Sequence, residues 1–357
     1  KVENIFKFSM SSEEYLVKMK NIYINILDFI ESEINIDQKF QFLETNFKNQ
    51  KIQDNKHDLS LLLRIISEIC NNHYRGPSFF DKIDRILKYL KNGIQKHFTR
   101  TEILSIFKSN NRLLLFLLEE KILIMNQQII YAKNNYDLLY FSPEIKPLLN
   151  ESWISRYEIK EYDDFPLIPD MPRIDWNIFK KNSWIERIKN DLPEDYNYNR
   201  KNGENENFIC ELIRKDLVKE FIVYINKNNI SLNLFIEQSF FETNQFLIDE
   251  YNEIRPFKLI EYAAFFGSLE IFQYLKLNNA EMTPNLFLYA IHGKNPEIIH
   301  ILEEYFDEPD EESYNKYFLE AIKCHHNDIA NYFMNKGQIT DKTLIQSLKY
   351  YNFSFIS

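Results

Sequence analysis

Residues 262–275 read YAAFFGSLEIFQYL, residues 289–302 read YAIHGKNPEIIHIL, and residues 320–333 read EAIKCHHNDIANYF. A partial fourth copy, QSLKYYNFSFI, stands at 346–356, so the units begin at 262, 289, 320 and 346. Self-similarity at this period points to stacked supersecondary units rather than to one enzyme core. Each unit has a small residue second: Ala263, Ala290, Ala321 and Ser347. The ninth residue is acidic or polar (Glu270, Glu297, Asp328, Ser354), and an apolar pair follows it. The pattern predicts a helical hairpin: a first helix kept slim by the small residue, a turn, then a second helix. The turn needs one residue that tolerates left-handed geometry, and Gly267, Lys294, His325 and Tyr351 share that place. Ser268, Asn295 and Asn352 fall at the N-cap of the second helix. Pro296 occupies the first helical position, where its missing N–H costs nothing. The acids at 270, 297 and 328 sit in the first turn, where the helix dipole favours them. Asn279 and Gly337 suit left-handed C-caps.

The same register decides how to read CHHNDIA at 324–330, a cluster with the residue types of a zinc site or a Cys–His nucleophile. A zinc site needs about four converging ligands, and neighbours in a tight turn seldom converge. A catalytic thiol needs a base and an oxyanion site. The register makes the cluster an inter-helix turn, the counterpart of FFGSLEI and HGKNPEI. No metal, cofactor or catalytic residue is expected.

LIEYAAFFGSLEIFQYLKLNNA at 259–280 resembles the ankyrin repeat: an Ala pair, two variable residues, Gly, an acidic residue, an apolar pair and a small terminal residue. The Thr-Pro-Leu-His opening is missing there, although Thr283 and Pro284 persist out of register, and the units are shorter than the family's usual length. The blocks ICELIRKD, FFETNQFLI, IEYAAFFGS, LYAIHGKNPEIIH and IKCHHNDIANY, within 209–332, resemble an ankyrin-type domain of unknown function found in large protist protein families. Stretches 61–91 and 106–123 resemble the helical region that precedes it. The resemblance implies an all-α fold, a helical-hairpin array with a C-terminal ankyrin-like solenoid. It implies no activity. By register, the partner-facing positions are Phe265 and Phe266, His292 and Gly293, Lys323 and Cys324, and Lys349 and Tyr350. Exposed, the two phenylalanines would form an apolar anchor; covered by the N-terminal helices or the connector, they would be core. EEYFDEPDEE at 303–312 lies where a finger between repeats belongs. Its carboxylates, Glu303, Glu304, Asp307, Glu308, Asp310, Glu311 and Glu312, read as a solvated loop or as an acidic finger that steers basic partners.

Working outward, residues 11–31 carry apolar side chains at three- and four-residue spacing, and 59–70, 79–91, 101–107 and 110–121 read as further short helices. Turns are expected at 71–78, 92–100 and 108–110. Six of the 11 prolines and all 3 tryptophans (Trp153, Trp176, Trp184) fall between 143 and 193. Helices stop before prolines, so 126–207 reads as an irregular packed connector with short helices such as 176–190, ending in a surface loop at 199–207. Asp163 and Asp164 read as solvated. The chain thus divides into an N-terminal helical region (1–125), the connector, and repeats at 208–357, the last incomplete. The start at Lys1 reads as that of a trimmed chain.

The totals bound the rest. With 45% apolar residues in 357, a large core is affordable. Only 6 glycines leave little for phosphate loops or β-hairpins. A net charge of −10 disfavours general nucleic-acid binding. Three scattered cysteines fit a reducing compartment, and no apolar run reaches membrane-spanning length. The expected protein is cytoplasmic, with the nucleus open, and is not an enzyme. It is expected to bind an unknown protein partner as an adaptor or scaffold, with no nucleic acid and no membrane. Two other readings stay open: an enzyme or modifier with its site within 1–207, and a nucleic-acid-associated protein with a basic stripe on its N-terminal helices.

Overall fold

The five apolar residues that set the period of the first helix, Tyr15, Met19, Ile22, Ile26 and Phe29, are all buried on one face of α1 (Ser12–Glu31). They belong to a computed structural model that describes residues 12–76, 78–126, 135–148, 192–248, 257–341, 343, 345 and 348–355. The expected helix at 176–190, the three tryptophans, Asp163 and Asp164 lie outside the described residues.

The N-terminal array continues with α2 (Ile36–Asn49), α3 (Lys56–Asn72), α4 (Phe79–His97), α5 (Arg100–Phe107) and α6 (Asn111–Glu119). Side-chain caps set three of the starts. Asn55 accepts from His57 N and Asp58 N, Thr99 forms a capping box with Glu102, and Asn110 accepts from Leu113 N. The expected turn at 92–100 shrinks to 98–99, because α4 runs on through Gly93 and Ile94, both buried. Leu59 and Gln53 press on Gly93 so closely that an added Cβ would lie 3.0 and 3.1 Å from them. Within the connector, α7 (Asn135–Tyr140), α8 (Ser142–Ile145) and α9 (Tyr196–Asn202) are described.

The repeat region forms four hairpins: α10 (Phe208–Arg214) with α11 (Val218–Lys227), α12 (Leu259–Phe265) with α13 (Leu269–Leu277), α14 (Leu286–Gly293) with α15 (Pro296–Tyr305), and α16 (Glu311–Lys323) with α17 (Asn327–Lys336). The first helices pack in sequence, α10 on α12 on α14 on α16, and α11, α13 and α15 pack likewise. The fold is all-α. Among the described residues the sheet content is one antiparallel pair, β1 (Phe235–Ile236) with β2 (Phe257–Lys258).

The turns follow the register read from the sequence. Asp216, Gly267, Lys294, His325 and Tyr351 all have positive φ, at 49°, 67°, 51°, 58° and 55°. After the last four of these, the next residue ties its hairpin to the preceding turn. Ser268 Oγ donates to Ile213 O (2.5 Å), His326 Nδ1 to Ile291 O (2.7 Å) and Asn352 Nδ2 to Ile322 O (3.1 Å). These acceptors occupy equivalent positions, three residues before the left-handed one. Asn295 Nδ2 instead reaches Gly267 O (2.9 Å), because Gly293 lies directly against the Ala264 carbonyl. Asn295 and Asn352 also cap their own helices, accepting from Glu297 N and Ser354 N. Ser268 does not. Asp216 of the preceding turn caps α13 for it, accepting from Glu270 N and Ile271 N, both at 3.0 Å. Asn279 ends α13 in the left-handed region as expected, whereas Gly337 has φ −110° and is extended.

Two cores result, one under α1–α8 and one inside the hairpin stack. They meet near residue 353. Phe353, in a short 3-10 turn (Phe353–Phe355), belongs to the N-terminal core, with its ring 6.2 Å from that of Tyr23 on α1.

Candidate functional site: the seam between helical array and hairpin stack

The positions expected to face a partner are largely covered by the chain itself. Phe265, His292 and Cys324 are 4%, 1% and 0% exposed. Phe266, Lys323 and Tyr350 are half-buried, and Lys349 is exposed. Two segments lie over them. One is the loop that follows α3. The other is the segment 239–248 between the first two hairpins, where Phe246 stacks on Phe265 (5.8 Å between centroids), sits 4.2 Å from the His292 ring and meets Tyr289 edge-on at 5.0 Å. Lys323 Nζ lies over the Phe246 ring, 5.8 Å from its centroid. The apolar anchor at 265–266 is therefore core, and Cys324 is not on an open rim.

CHHNDIA is the docking point. Lys323 ends α16, Cys324 follows in helical geometry, and His325 takes the left-handed turn, which drives both imidazoles inward. Cys324 O accepts from His73 Nδ1 at 2.8 Å, and the other nitrogen of His73 faces Glu31 Oε1 at 3.2 Å. Glu31 also pairs with Lys294 at 2.8 Å. Burial acts to raise the Glu31 carboxyl, but His73 and Lys294 outweigh it and hold it at about 2. His326 sits edge-on to His73, 5.0 Å away. A carbonyl can only accept, so the His326 proton is on Nδ1 toward Ile291 O, and Nε2 accepts from Tyr74 N (3.4 Å). His325 Nδ1 meets Tyr23 OH at 3.0 Å, and its Nε2 has no partner among the described residues. Burial, reinforced by His73, pushes His325 down to about 3 and His326 well below the usual imidazole range.

Cys324 also meets a residue that the sequence reading had not joined to it. Its Sγ lies 3.4 Å from His292 Nδ1, and His292 Nε2 lies 2.7 Å from Glu320 Oε1. Thiol, imidazole and carboxylate make the only three-residue group of metal-binding types among the described residues, with ligand atoms within 4.8 Å of one another. One ion cannot use all three, because thiol and carboxylate sit on opposite nitrogens of a rigid ring and Lys323 Nζ holds Glu320 at 3.1 Å. The order also matches nucleophile, base and orienting acid. Burial pushes the thiol well above its ordinary pKa, however, which is the reverse of activation. The adjoining cavity, lined by His73, Arg75, Asn244, Phe265 and His292 among others, has about 10 Å³, the space of one water. Small-molecule sites run to about 300–1,000 Å³. The three residues act as a buried hydrogen-bond chain that fixes α14 against α16.

The surface loop expected at 199–207 is one only in part: Lys201, Asn202, Glu206 and Asn207 are exposed, but Arg200 is buried in α9, and Gly203 and Asn205 are buried beyond it. Gly203 O accepts from Arg75 Nη1 (3.0 Å), Thr243 N (3.0 Å) and Thr243 Oγ1 (2.8 Å). Arg112 donates to Lys201 O at 2.7 Å, and Tyr140 OH to Arg200 O. The carboxyl end of α9 is thus held by cations and hydroxyls, as its dipole favours. Buried Glu242 accepts from Asn205 N, Thr243 N and Asn244 N, and so shapes the covering segment. Only the lone glycine at 203 hinted at this, through the left-handed C-cap (φ 68°) that it supplies.

The acidic run is split rather than looped throughout. Glu303 and Glu304 end α15, 306–310 connect, and Asp310 caps α16 by accepting from Ser313 N at 2.9 Å. Glu303 is engaged by Lys336 (2.9 Å) and Tyr332. Glu304, Asp307, Glu308, Asp310, Glu311 and Glu312 are exposed and have no ion pair among the described residues.

A family model, that of a domain of unknown function (DUF3447), matches residues 277–357, which hold the last two hairpins and the closing turns. No curated protein and no solved structure matches the chain. Among the described residues, no helix is long and apolar enough to cross a membrane.

Proposed function

We propose that this chain is a protein–protein interaction module, an adaptor or scaffold built on an ankyrin-like stack, and that its free contact edge is the acidic connection between α15 and α16. The reading is supported by the hairpin register with its five left-handed turns, and by the small size, about 10 Å³, of the cavity that the described residues leave at the seam. The observation that carries it is the edge itself. Six exposed carboxylates with no ion pair among the described residues adjoin Tyr305, which is 54% exposed. Lys276 Nζ lies 5.7 Å over the Tyr305 ring, and its neighbour Leu277 is 80% exposed. An aromatic and an aliphatic anchor beside a negative field suit a basic segment that carries an apolar residue.

Carbodiimide cross-linking in extract of the source cell tests the reading, because it joins carboxylates to partner lysines. Partner peptides should map to 304–312. Their yield should fall at least tenfold in the variant E304Q/D307N/E308Q/E311Q/E312Q, which spares the capping Asp310. Cross-links confined to other surfaces, or a neutralised variant that keeps its partners, would overturn it.

A further inference from the structure

Four of the chain's 7 histidines, His73, His292, His325 and His326, are at most 3% exposed along the seam. We propose that the seam is a proton-operated latch: proton uptake at His325 and His326 releases the N-terminal helices from the hairpin stack and bares the turn that carries Cys324. It stands apart from the acidic-edge reading, since the two use different surfaces.

The geometry leaves no room for a second proton on either ring. His326 Nδ1–H is spent on Ile291 O, and Nε2 receives the Tyr74 N–H. A proton on Nε2 would set N–H against N–H and remove the contact with the loop after α3. On His325 the extra proton would leave a charged group with a buried N–H that has no acceptor. The charges around the pair do not help. From the loop after α3 comes His73, and from the turn between α14 and α15 comes Lys294, both repelling a new positive charge on His326; His292 on α14 adds to this. From α1 come Tyr23, against His325, and Glu31, whose carboxylate is engaged by His73 and Lys294. From α16, Glu320 is engaged by His292 and Lys323. Asn327 and Ser354, bonded to each other, are neutral.

The sign follows. Both histidines have folded pKa values depressed below the free value of about 6.5. The closed seam is therefore favoured above about pH 6.5 and weakens as pH falls below it. Glu31, held at about 2, begins to lose its own contribution only as pH falls below the ordinary carboxylate value of about 4.5. With free pKa values of about 6.5 on opening, each ring multiplies the opening constant by about 30 between pH 7.5 and pH 5, and the two by roughly a thousand.

Cys324 reports this on the full chain. Its labelling by a dipyridyl disulfide, normalised to a free cysteine peptide at each pH and resolved by peptide mass spectrometry, gives the opening constant. Protection of Cys324 should fall roughly a thousandfold from pH 7.5 to pH 5, while Cys70 and Cys210, buried in the separate cores, stay protected. The H325N/H326N variant should flatten the response. Asn352 makes the bond of His326 at the equivalent position, and asparagine tolerates the left-handed turn. Hydrogen exchange on the wild-type chain covers the case in which that variant does not fold: amides of 71–76 and 320–326 should lose protection together while the interior of α4 keeps its own. Unchanged protection of Cys324 at pH 5, an equal loss in the double variant, or simultaneous loss across α4 would overturn the latch.

Discussion

Gly293→Ala separates local preference from stack geometry, because the two predict opposite signs. Gly293 closes α14 and does not have positive φ. Judged alone, a helical Gly→Ala change is worth about 0.5–1 kcal/mol of added stability. In the stack, the new Cβ would collide with the Ala264 carbonyl oxygen and with the backbone of Gly267. These are backbone atoms, so no rotamer change relieves the overlap and the two hairpins must part. Overpacking of this kind costs about 1–3 kcal/mol. Parting also strains the bond from Asn295 Nδ2 to Gly267 O, worth about 0.5–1.5 kcal/mol. The net is a loss of roughly 0.5–4 kcal/mol. Urea unfolding of the full chain, followed by far-ultraviolet circular dichroism, reads it as a lower midpoint, with Gly76→Ala as control because a Cβ there meets only Tyr74 at 3.6 Å. A Gly293→Ala chain as stable as wild type, or more so, would refute the close approach of α12 and α14.

Asp216→Ala should cost about 1.5–4 kcal/mol, since it removes the cap of α13 (about 0.5–2 kcal/mol) and places alanine in a left-handed turn (about 1–2 kcal/mol); Asp216→Asn should lose less, and equal losses in denaturant would contradict the inter-hairpin cap. Glu31→Gln should remove part of the acid-limb stability change between about pH 4.5 and 2, because a carboxylate held down by His73 and Lys294 stabilises above its unfolded pKa and loses that effect as it protonates; an unaltered acid limb in a pH titration of unfolding would count against the Glu31–His73 pair. Purified protein should take up no stoichiometric zinc through Cys324, His292 and His325, as read by plasma mass spectrometry, and zinc lost in Cys324→Ser would reverse that reading.

Local backbone rules were legible without a structure. The register at 262, 289, 320 and 346 placed Gly267, Lys294, His325 and Tyr351 in one role, and all four take positive φ. It did so because a tight turn between two helices demands a left-handed residue whatever lies around it. The same register turned CHHNDIA from a candidate metal site into a turn, and helix periodicity chose the buried face of α1. What covers each turn was not legible. Tyr23 reaches His325 across 302 residues of chain, and His73 reaches Cys324 across 251. No periodicity encodes such contacts, which depend on how two preformed helical bodies fit. That docking, with Phe246 laid across Phe265 and His292, decided between the two readings of the face, exposed anchor or covered core, in favour of cover, and left the acids of 304–312 outside. Whether a stack residue faces water or protein is a property of the neighbour, and the tertiary structure alone supplies the neighbour.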